Sequence, residues 1–312
     1  MARGEHGWLH TLSGVPADIG LMGTKMITAA LGTRRGSYLI PLFDQRTADL
    51  AALLDAHSIT AATSALATDL LLPPGTATVA VIGSGFEAKN NIRALFAIRP
   101  LKAVHVYSPR PESRARFTTE LADQPFPVSP AKTPEAAVAE SSLVICAARS
   151  HDETPTLLGK WLHPGITVVS IGSTLPEQCE VDTDVIARAD VIARADVLVA
   201  DVLVADVLVA DVLDEVFNDT GDLIAARAAG INAASRATSP ADVVGGRHPD
   251  EAARIRSSST NPSDPPSRTL RSPPCACARL KSSGSVTAMC LRKVEELGLG
   301  HRLPVTVQPV PK

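Results

Sequence analysis

Apolar and polar positions in the middle of the chain alternate between short β-branched runs and longer mixed stretches. The short runs predict strands, and the stretches between them predict helices over residues 88–98 and 111–122. The predicted strands cover residues 78–82, 103–107, 143–148 and 166–171. Strands that alternate with helices and are apolar on both faces form parallel sheets. The pattern therefore predicts an α/β fold with a doubly wound parallel sheet.

The chain before this alternation has a different pattern. Residues 37–44 predict a strand that runs into a turn, and the Ala- and Leu-rich residues 49–72 are suited to a helix. The Pro-Pro-Gly sequence at residues 73–75 then indicates a domain boundary. We therefore expect a sheet domain between two flanking segments. The predicted segments are residues 1–72, 73–215 and 216–312.

Two later segments break the pattern. Within residues 186–213 the triplet Ala-Asp-Val recurs, and most of its copies follow one another at five-residue spacing. Such a period spreads the aspartates around a helix and over both faces of a strand, so the spacing indicates a duplicated stretch of sequence. Residues 257–285 combine Ser and Pro with few large apolar residues, a composition typical of disorder. We expect order to resume in a short amphipathic helix over residues 289–298.

Composition narrows the range of partners. The 312 residues suffice for about two domains, and 45% of them are hydrophobic. A net charge of -3 gives no reason to expect nucleic acid or an anionic membrane as partner. The longest apolar stretch, residues 185–213, is repeatedly interrupted by charges, which argues against a membrane span. The first residues lack the apolar stretch of a signal peptide, so we expect a cytoplasmic location.

The five cysteines do not form a disulfide framework in a chain of this length, and we expect reduced thiols. Cys275 and Cys277 could supply half of a metal site, but no second Cys/His pair stands at ligand spacing. We therefore expect no bound metal.

A glycine motif follows the first predicted strand directly and opens the first predicted helix. Gly83 permits a tight turn, Gly85 lets the backbone approach a pyrophosphate, and the small Ala88 allows helix and strand to pack closely. The amino end of the helix faces the anion. This context predicts a dinucleotide site that includes Ser84 and Phe86. Further cofactor-binding candidates at the ends of the third and fourth predicted strands are Ala147, Gly172 and Ser173.

The residues after the second predicted strand bear on the choice of dinucleotide. An NAD site ordinarily has Asp or Glu here to bind the ribose 2′-hydroxyl. This chain has Ser108, followed by Arg110 and Arg114. A small hydroxyl with guanidinium groups suits a 2′-phosphate, so NADP(H) is favoured and NAD(H) is the alternative. The arginines could instead form a solvated helix face, an interpretation that we prefer for Arg116.

Lys25 is the only basic residue of an otherwise apolar stretch before the predicted boundary. One interpretation is a lysine whose aliphatic part is buried while its amine reaches water. The other is a functional lysine that binds a substrate carboxylate or acts as acid or base. Composition alone leaves both open.

These features together resemble the ornithine cyclodeaminase/mu-crystallin family. The resemblance is carried by Gly23-Thr24-Lys25, by the Val-Ile-Gly-Ser-Gly run ending at Gly85, and by residues 171–178. Further matching segments are residues 38–44, 53–56, 58–61, 161–165 and 298–304. The match covers most of residues 14–230 and 289–304.

The resemblance implies a Rossmann domain inserted in a second, α+β substrate and dimerisation domain, which the N-terminal and returning C-terminal segments form. It implies a homodimer that uses NAD(P) to transfer hydride at the α-carbon of a small α-amino or cyclic imino acid. It also implies two catalytic candidates. Lys25 lies in the family's Gly-x-Lys motif, and Thr174 stands where the family has a catalytic Asp.

The chain departs from the family pattern in several places. The family's substrate-binding Arg lies ahead of the matched part, and its Arg-Thr after the Ile-Thr-Ala helix start is absent. A hydroxyl at Thr174 cannot be the carboxylate base of cyclisation. The repeat multiplies the family's single Ala-Asp-Val strand, and residues 257–285 resemble a different reading frame. We favour an NAD(P)-dependent imine reductase or amino-acid dehydrogenase. The alternatives are ornithine cyclodeaminase, and a noncatalytic NADP(H)-binding protein or degraded gene product.

Overall fold

Two compact units divide the chain: residues 1–60 with 278–312, and residues 61–277. The computed structural model describes residues 2–17, 19–32, 35–56, 59–72, 75–148, 154–173, 176–188, 191–195, 198–202, 208–210, 217–218, 220–234, 237–238 and 307–308. The division assigns most of helix α1 (Ile59–Leu71) to the second unit, whereas the sequence pattern placed this segment before the boundary.

The first unit contains a six-stranded sheet in which all neighbouring strands are antiparallel. Its strands are β1 (Ala2–Arg3), β2 (Gly7–Gly14), β3 (Leu21–Ala30), β4 (Arg35–Asp44), β5 (Leu50–Asp55) and β15 (Val307–Gln308), in that order. Val307 pairs with Leu54, so the C-terminal segment returns to this sheet. Ile40, Leu54 and Ala56 form a small buried cluster.

The helix predicted over residues 49–72 is wrong in its first part. Residues 50–55 form strand β5, which pairs with β4 through Ile40 opposite Leu54 and Pro41 opposite Leu53. Ala and Leu residues favour a helix locally, but the pairing of this segment with β4 outweighs that preference. The strand and turn predicted over residues 37–44 agree with β4, whose last residue, Asp44, accepts hydrogen bonds from the next turn.

The second unit contains the predicted parallel sheet. Its strands β6 (Ala77–Ile82), β7 (Leu101–Tyr107), β8 (Val128–Pro130), β9 (Leu143–Cys146) and β10 (Thr167–Ser170) are ordered β10-β9-β6-β7-β8 and are all parallel. The sequence missed the short β8, since Pro127 and Pro130 argue against a strand there. Proline is tolerated because this strand lies at the edge of the sheet.

Helices cover both faces of this sheet. They are α2 (Phe86–Ile98), α3 (Pro111–Glu120), α4 (Pro134–Val138), α5 (Thr183–Arg188) and α6 (Gly221–Ala228), with a short 3-10 helix at Gly159–Trp161. Within β6, Val79 and Val81 belong to one apolar core, whereas Ala80 and Ile82 belong to the other. Because successive side chains of the strand are buried on opposite faces, the doubly wound arrangement is confirmed.

Part of the Ala-Asp-Val repeat forms additional strands beyond β10. They are β11 (Val191–Ala195), β12 (Leu198–Val202) and β13 (Leu208–Ala210), and β14 (Ala237–Thr238) follows at the edge. The expectation of an all-parallel sheet fails here, because β12 is antiparallel to β10 and to β11. Two residues separate β11 from β12, and so short a connection joins only antiparallel strands.

Three further observations concern the sequence predictions. No helix in the described part of the chain is long and apolar enough to cross a membrane. The same part contains no cluster of His, Cys, Asp and Glu side chains suited to a metal ion. The predictions for residues 257–285 and 289–298 lie outside the described residues.

Arg99, at the end of α2, joins three segments of the second unit. Its Nε donates to Asp69 Oδ1 on α1 at 2.7 Å, its Nη2 to the Asp69 carbonyl at 3.0 Å, and its Nη1 to the Gly75 carbonyl at 3.2 Å. The arginine side chain is 9% exposed. This guanidinium therefore holds α1 and the following loop against α2.

We expect Arg99→Met to lower the free energy of unfolding by about 2–3 kcal/mol, because it removes charge-assisted hydrogen bonds from a largely buried position. Urea denaturation of the purified chain measures this change. The matched control is Arg116→Met, whose side chain is 65% exposed and lies 3.9 Å from Glu120; its effect should stay within about 0.5 kcal/mol. Equal effects of the two substitutions would contradict the assignment.

Candidate functional site

The carboxyl ends of β9, β6 and β7 lie side by side at one edge of the parallel sheet. The chain leaves β6 to form β7 on one side, and places β9 on the other side of β6. The place where the strand order reverses is called the switch point of the sheet. In open parallel sheets it leaves a crevice that binds ligands. The glycine motif lies at this point, as the sequence predicted.

Gly83 connects three strands at the crevice. Its amide donates to the Tyr107 carbonyl at the end of β7 at 2.8 Å. Its φ is +113°, and a Cβ here would lie 2.5 Å from the Ala147 carbonyl oxygen at the end of β9. Backbone conformation and close approach therefore both require glycine at this position.

Gly85 begins α2 with its backbone open to solvent. A Cβ at Gly85 would meet no atom within 4 Å, and no side chain caps the helix at this residue. The first amide groups of a helix lack partners within it and attract anions. Ser84 is half-buried, Phe86 is exposed, and Ala88 is fully buried against the sheet. The residues present fit the pyrophosphate of a dinucleotide.

The candidates for 2′-phosphate recognition follow β7. Ser108 is buried, and Arg110 is exposed at the residue that precedes α3. Arg114 Nη1 donates to the Ser108 carbonyl at 2.6 Å, and its Cζ lies 5.8 Å from the centroid of the Tyr107 ring. These contacts fix the Arg114 guanidinium beside the end of β7. Arg110 has no such contact among the described residues.

The candidates at the other side of the crevice follow β9 and β10. Ala147 lies against Gly83, and its amide donates to the Ile82 carbonyl at 2.8 Å. The Ser173 hydroxyl is buried and donates to the Gln178 carbonyl at 2.9 Å. The Gly172 amide donates to Glu180 Oε2 at 2.6 Å. Ala147 therefore lies in the loop after β9, and Gly172 and Ser173 lie in the loop after β10.

Glu180 is a residue of this edge that sequence reasoning missed. Its carboxylate is fully buried and accepts hydrogen bonds from the loops after β9 and β10. Burial raises the pKa of Glu180 to about 7, although the Ser170 hydroxyl and the Gly172 amide oppose the shift; the nearby Asp222 carboxylate adds to it. The signal available in the sequence was an acidic residue between the apolar Cys179 and Val181.

The two catalytic candidates stay predictions. Lys25 lies in β3 of the first unit, opposite Leu12 in β2, and is half-buried. No hydrogen bond or ion pair of its amine is present among the described residues. Thr174 lies outside the described residues.

Comparison with known proteins gives a consistent result. The model of the ornithine cyclodeaminase/mu-crystallin family matches residues 19–238. The chain is similar to the ketimine reductase mu-crystallin of Mus musculus, with 26% identity over 196 residues, which are 59% of this chain and 60% of the relative. It thus spans about 60% of the length of this curated relative.

Two solved structures are similar to the chain. The probable ornithine cyclodeaminase of Bordetella pertussis Tohama I is 26% identical, with a TM-score of 0.64 over 79% of this chain and 73% of that one. The Delta(1)-pyrroline-2-carboxylate reductase of Thermococcus litoralis, solved with NADH and L-proline, is 16% identical, with a TM-score of 0.60 over 96% and 90%. The second likeness shows the fold alone.

We expect alanine substitutions at the two glycines of the motif to have different effects on stability and on dinucleotide binding. Gly83→Ala should abolish dinucleotide binding and lower the free energy of unfolding by about 1–3 kcal/mol, because the new Cβ meets the Ala147 carbonyl. Gly85→Ala should leave stability within about 0.5 kcal/mol and weaken binding at least roughly tenfold, because its Cβ enters the space that the pyrophosphate would use.

NADPH fluorescence titration measures binding in this pair, and urea denaturation measures stability. Unchanged affinity in Gly85→Ala would place the dinucleotide elsewhere.

Proposed function

The chain belongs to the ornithine cyclodeaminase/mu-crystallin family, and we propose that it is an NAD(P)-dependent oxidoreductase acting on a small cyclic imino acid or α-amino acid. The observation that carries the proposal is the open amino end of α2 behind Gly83 and Gly85, at the switch point of the parallel sheet. The names of two relatives support the reaction. One is a ketimine reductase, and the other is the Delta(1)-pyrroline-2-carboxylate reductase of Bacillus cereus, which is 27% identical over 180 residues.

Each part of the proposed site would have its own role in the reaction. The bound nicotinamide would supply the hydride, while the Gly83 loop and the start of α2 would hold the pyrophosphate. Lys25 would bind the substrate carboxylate through its ammonium group. Its resemblance to the lysine of the family's Gly-x-Lys motif supports this role.

The choice of reductase over cyclodeaminase rests on Thr174. Cyclisation of ornithine needs a group that accepts a proton near neutral pH, and a threonine hydroxyl does not do so. Reduction of a ready-made cyclic imine does not need that carboxylate. A noncatalytic NADP(H)-binding protein is the second candidate, because the family's Arg-Thr after the Ile-Thr-Ala motif is absent while the glycine loop is complete.

We also propose NADP(H) as the preferred cofactor. Arg110 and the fixed Arg114 flank the end of β7, and no acidic residue follows this strand before Glu112. A 2′-phosphate would meet two guanidinium groups, whereas a 2′-hydroxyl would lack its usual carboxylate partner. A homodimer and a cytoplasmic location are further proposals that follow from the family resemblance and the composition.

We expect the purified full chain to oxidise NADPH in the presence of Δ1-pyrroline-2-carboxylate, at roughly 1–1000 turnovers per second. Ornithine with NAD should release no ammonia at such rates, because Thr174 cannot replace a carboxylate base. The absorbance at the nicotinamide band and an ammonia assay measure the two reactions. Efficient ammonia release would establish the cyclodeaminase alternative, and binding of NADPH with neither reaction would favour the noncatalytic one.

Lys25→Met tests the substrate side of this proposal. The variant should lose imine reduction and keep its NADPH affinity, since the proposed cofactor residues lie in the other unit. Lys132→Met, at an exposed lysine of the second unit, is the matched control and should change neither. Normal turnover by Lys25→Met would exclude this lysine from the substrate site.

We expect NADPH to bind more tightly than NADH. Arg110→Ala should reduce the difference between their binding free energies by roughly 1.5–3 kcal/mol, the contribution of one charge-assisted contact. Fluorescence titration with both cofactors measures the two dissociation constants. Arg116→Ala, at an exposed arginine further along α3, should leave the difference unchanged. Equal affinities of the unmodified chain for NADPH and NADH would contradict the preference.

A further inference from the structure

One buried carboxylate connects two loops at the edge of the parallel sheet. Glu180 Oε1 accepts a hydrogen bond of 2.6 Å from the Ala148 amide, in the loop after β9. Glu180 Oε2 accepts three more from residues at and after the end of β10: the Ser170 hydroxyl at 2.6 Å, the Ile171 amide at 3.0 Å and the Gly172 amide at 2.6 Å. Each loop thus depends on the same side chain for its position.

The spacing between Glu180 and these loops leaves no room for adjustment. A Cβ at Gly172 would collide with the Glu180 carboxylate, so a side chain there would displace this carboxylate. On the other side, Ala147 lies next to Ala148 and against Gly83. A displacement of Glu180 would therefore shift the loop after β10 directly. It would also shift the glycine motif, because the loop after β9 contacts both Glu180 and Gly83.

The position of Glu180 is itself fixed. Its amide donates to Asp222 Oδ1 at 2.8 Å, and its carbonyl accepts from the amides of Thr156 and Leu157 at 2.8 and 2.9 Å. Asp222 is 1% exposed and lies in the first turn of α6. The main chain at Glu180 is thereby held by two neighbouring segments, and the carboxylate reaches the loops from a rigid base.

We propose that Glu180 is a positioning residue for the nicotinamide half of the dinucleotide site. The inference rests on the proposed function. The adenosine half is assigned to the β7 side of the switch point by the residues after that strand, so the nicotinamide half belongs to the side of β9 and β10. Glu180 holds the two loops of that side at a set distance and does not itself contact the cofactor.

The four donors are best matched by an ionised carboxylate. Each donor presents an N–H or O–H group, and a carboxylate has lone pairs for all of them. A glutamine must turn its NH₂ group toward at least one backbone N–H. A protonated glutamate can donate its O–H to the Ser170 hydroxyl, but its Oε2 then has less acceptor capacity for the Ile171 and Gly172 amides. Either change weakens the connection between the loops.

This preference for the ionised form makes binding depend on pH. Burial and the neighbouring Asp222 raise the pKa of Glu180 to about 7, against a usual value of 4.5. Among the described residues, Asp222 is the acidic residue that acts on the Glu180 carboxyl group and raises its pKa further. Cofactor affinity should therefore rise as the pH increases through about 7 and Glu180 ionises.

Stability should change in the opposite direction. A carboxyl group whose pKa is raised on folding contributes stability that is present below 4.5 and is lost as the pH rises through about 7. The cofactor-free chain should thus become less stable over the pH range in which it comes to bind the cofactor better. A residue with a merely structural role would not couple the two opposite trends.

The experiment compares the unmodified chain with Glu180→Gln and with Glu140→Gln, a carboxyl-to-amide control at an exposed residue. NADPH is titrated by fluorescence at pH 6, 7 and 8, and thermal unfolding is followed without cofactor. The ratio of dissociation constants between variant and unmodified chain is taken at each pH, so that titration of the ligand's own phosphate cancels. Ser170→Ala removes one donor, keeps the carboxylate, and replaces Glu180→Gln if that variant does not fold.

The expected result is a roughly tenfold weaker affinity of Glu180→Gln at pH 8, a ratio close to one at pH 6, and unchanged behaviour of Glu140→Gln. Ser170→Ala should weaken affinity by a smaller factor. A ratio of one at every pH, or a ratio that is the same at pH 6 and pH 8, overturns the inference. If the unmodified chain binds neither NADPH nor NADH, the proposed function itself has failed.

Discussion

The hydrogen bonds to the buried carboxylate of Glu180 hold the functional edge of the second unit together. Removing a carboxyl group from water is costly, and four donors, from the loop after β9 and from the end of β10 and the loop that follows it, offset part of that cost. The same low-dielectric surroundings make each bond strong and make an unsatisfied donor expensive. Losing this side chain would remove the carboxylate acceptor of the buried Gly172 amide and of the part-buried Ala148 amide, whereas the Ile171 amide also donates to the Cys146 carbonyl at 3.0 Å. Hydrogen bonds to one carboxylate therefore hold the loops that frame the candidate site, in addition to the apolar packing of Ile171, Ala147 and Ala148.

Two glycines make this arrangement sterically possible. Gly83 lets the turn after β6 contact the Ala147 carbonyl, and Gly172 lets the loop after β10 contact Glu180. A side chain at position 83 would collide with the backbone at the end of β9, and one at position 172 would displace the Glu180 carboxylate. Gly85 differs, because its missing side chain leaves open space instead of permitting a contact. Glycine therefore serves packing at two positions and ligand access at the third.

The sequence predicted what depends on local pattern. Strand β6 and the Gly83 turn could be located because a strand buried on both faces is apolar throughout and the motif follows it directly. Strand β5 was missed because its pairing with β4 outweighs the helical preference of its Ala and Leu residues. Glu180 could not be assigned, since the donors to its carboxylate lie up to 32 residues away along the chain and only the fold brings them together.

The strand order also limits how far the Ala-Asp-Val repeat affects the candidate site. Strands β11 to β14 extend the sheet beyond β10, whereas the glycine motif follows β6. Two complete strands, β9 and β10, separate the repeat from β6, and the loops after these two strands are held by Glu180, which precedes the repeat in the chain. The hydrogen bonds and close contacts of the dinucleotide site are thus made by residues before 186 and by Asp222. A duplication within the repeat therefore adds strands at one edge of the sheet, where β12 pairs with β10, while the contacts described for the candidate dinucleotide site involve no residue of the repeat.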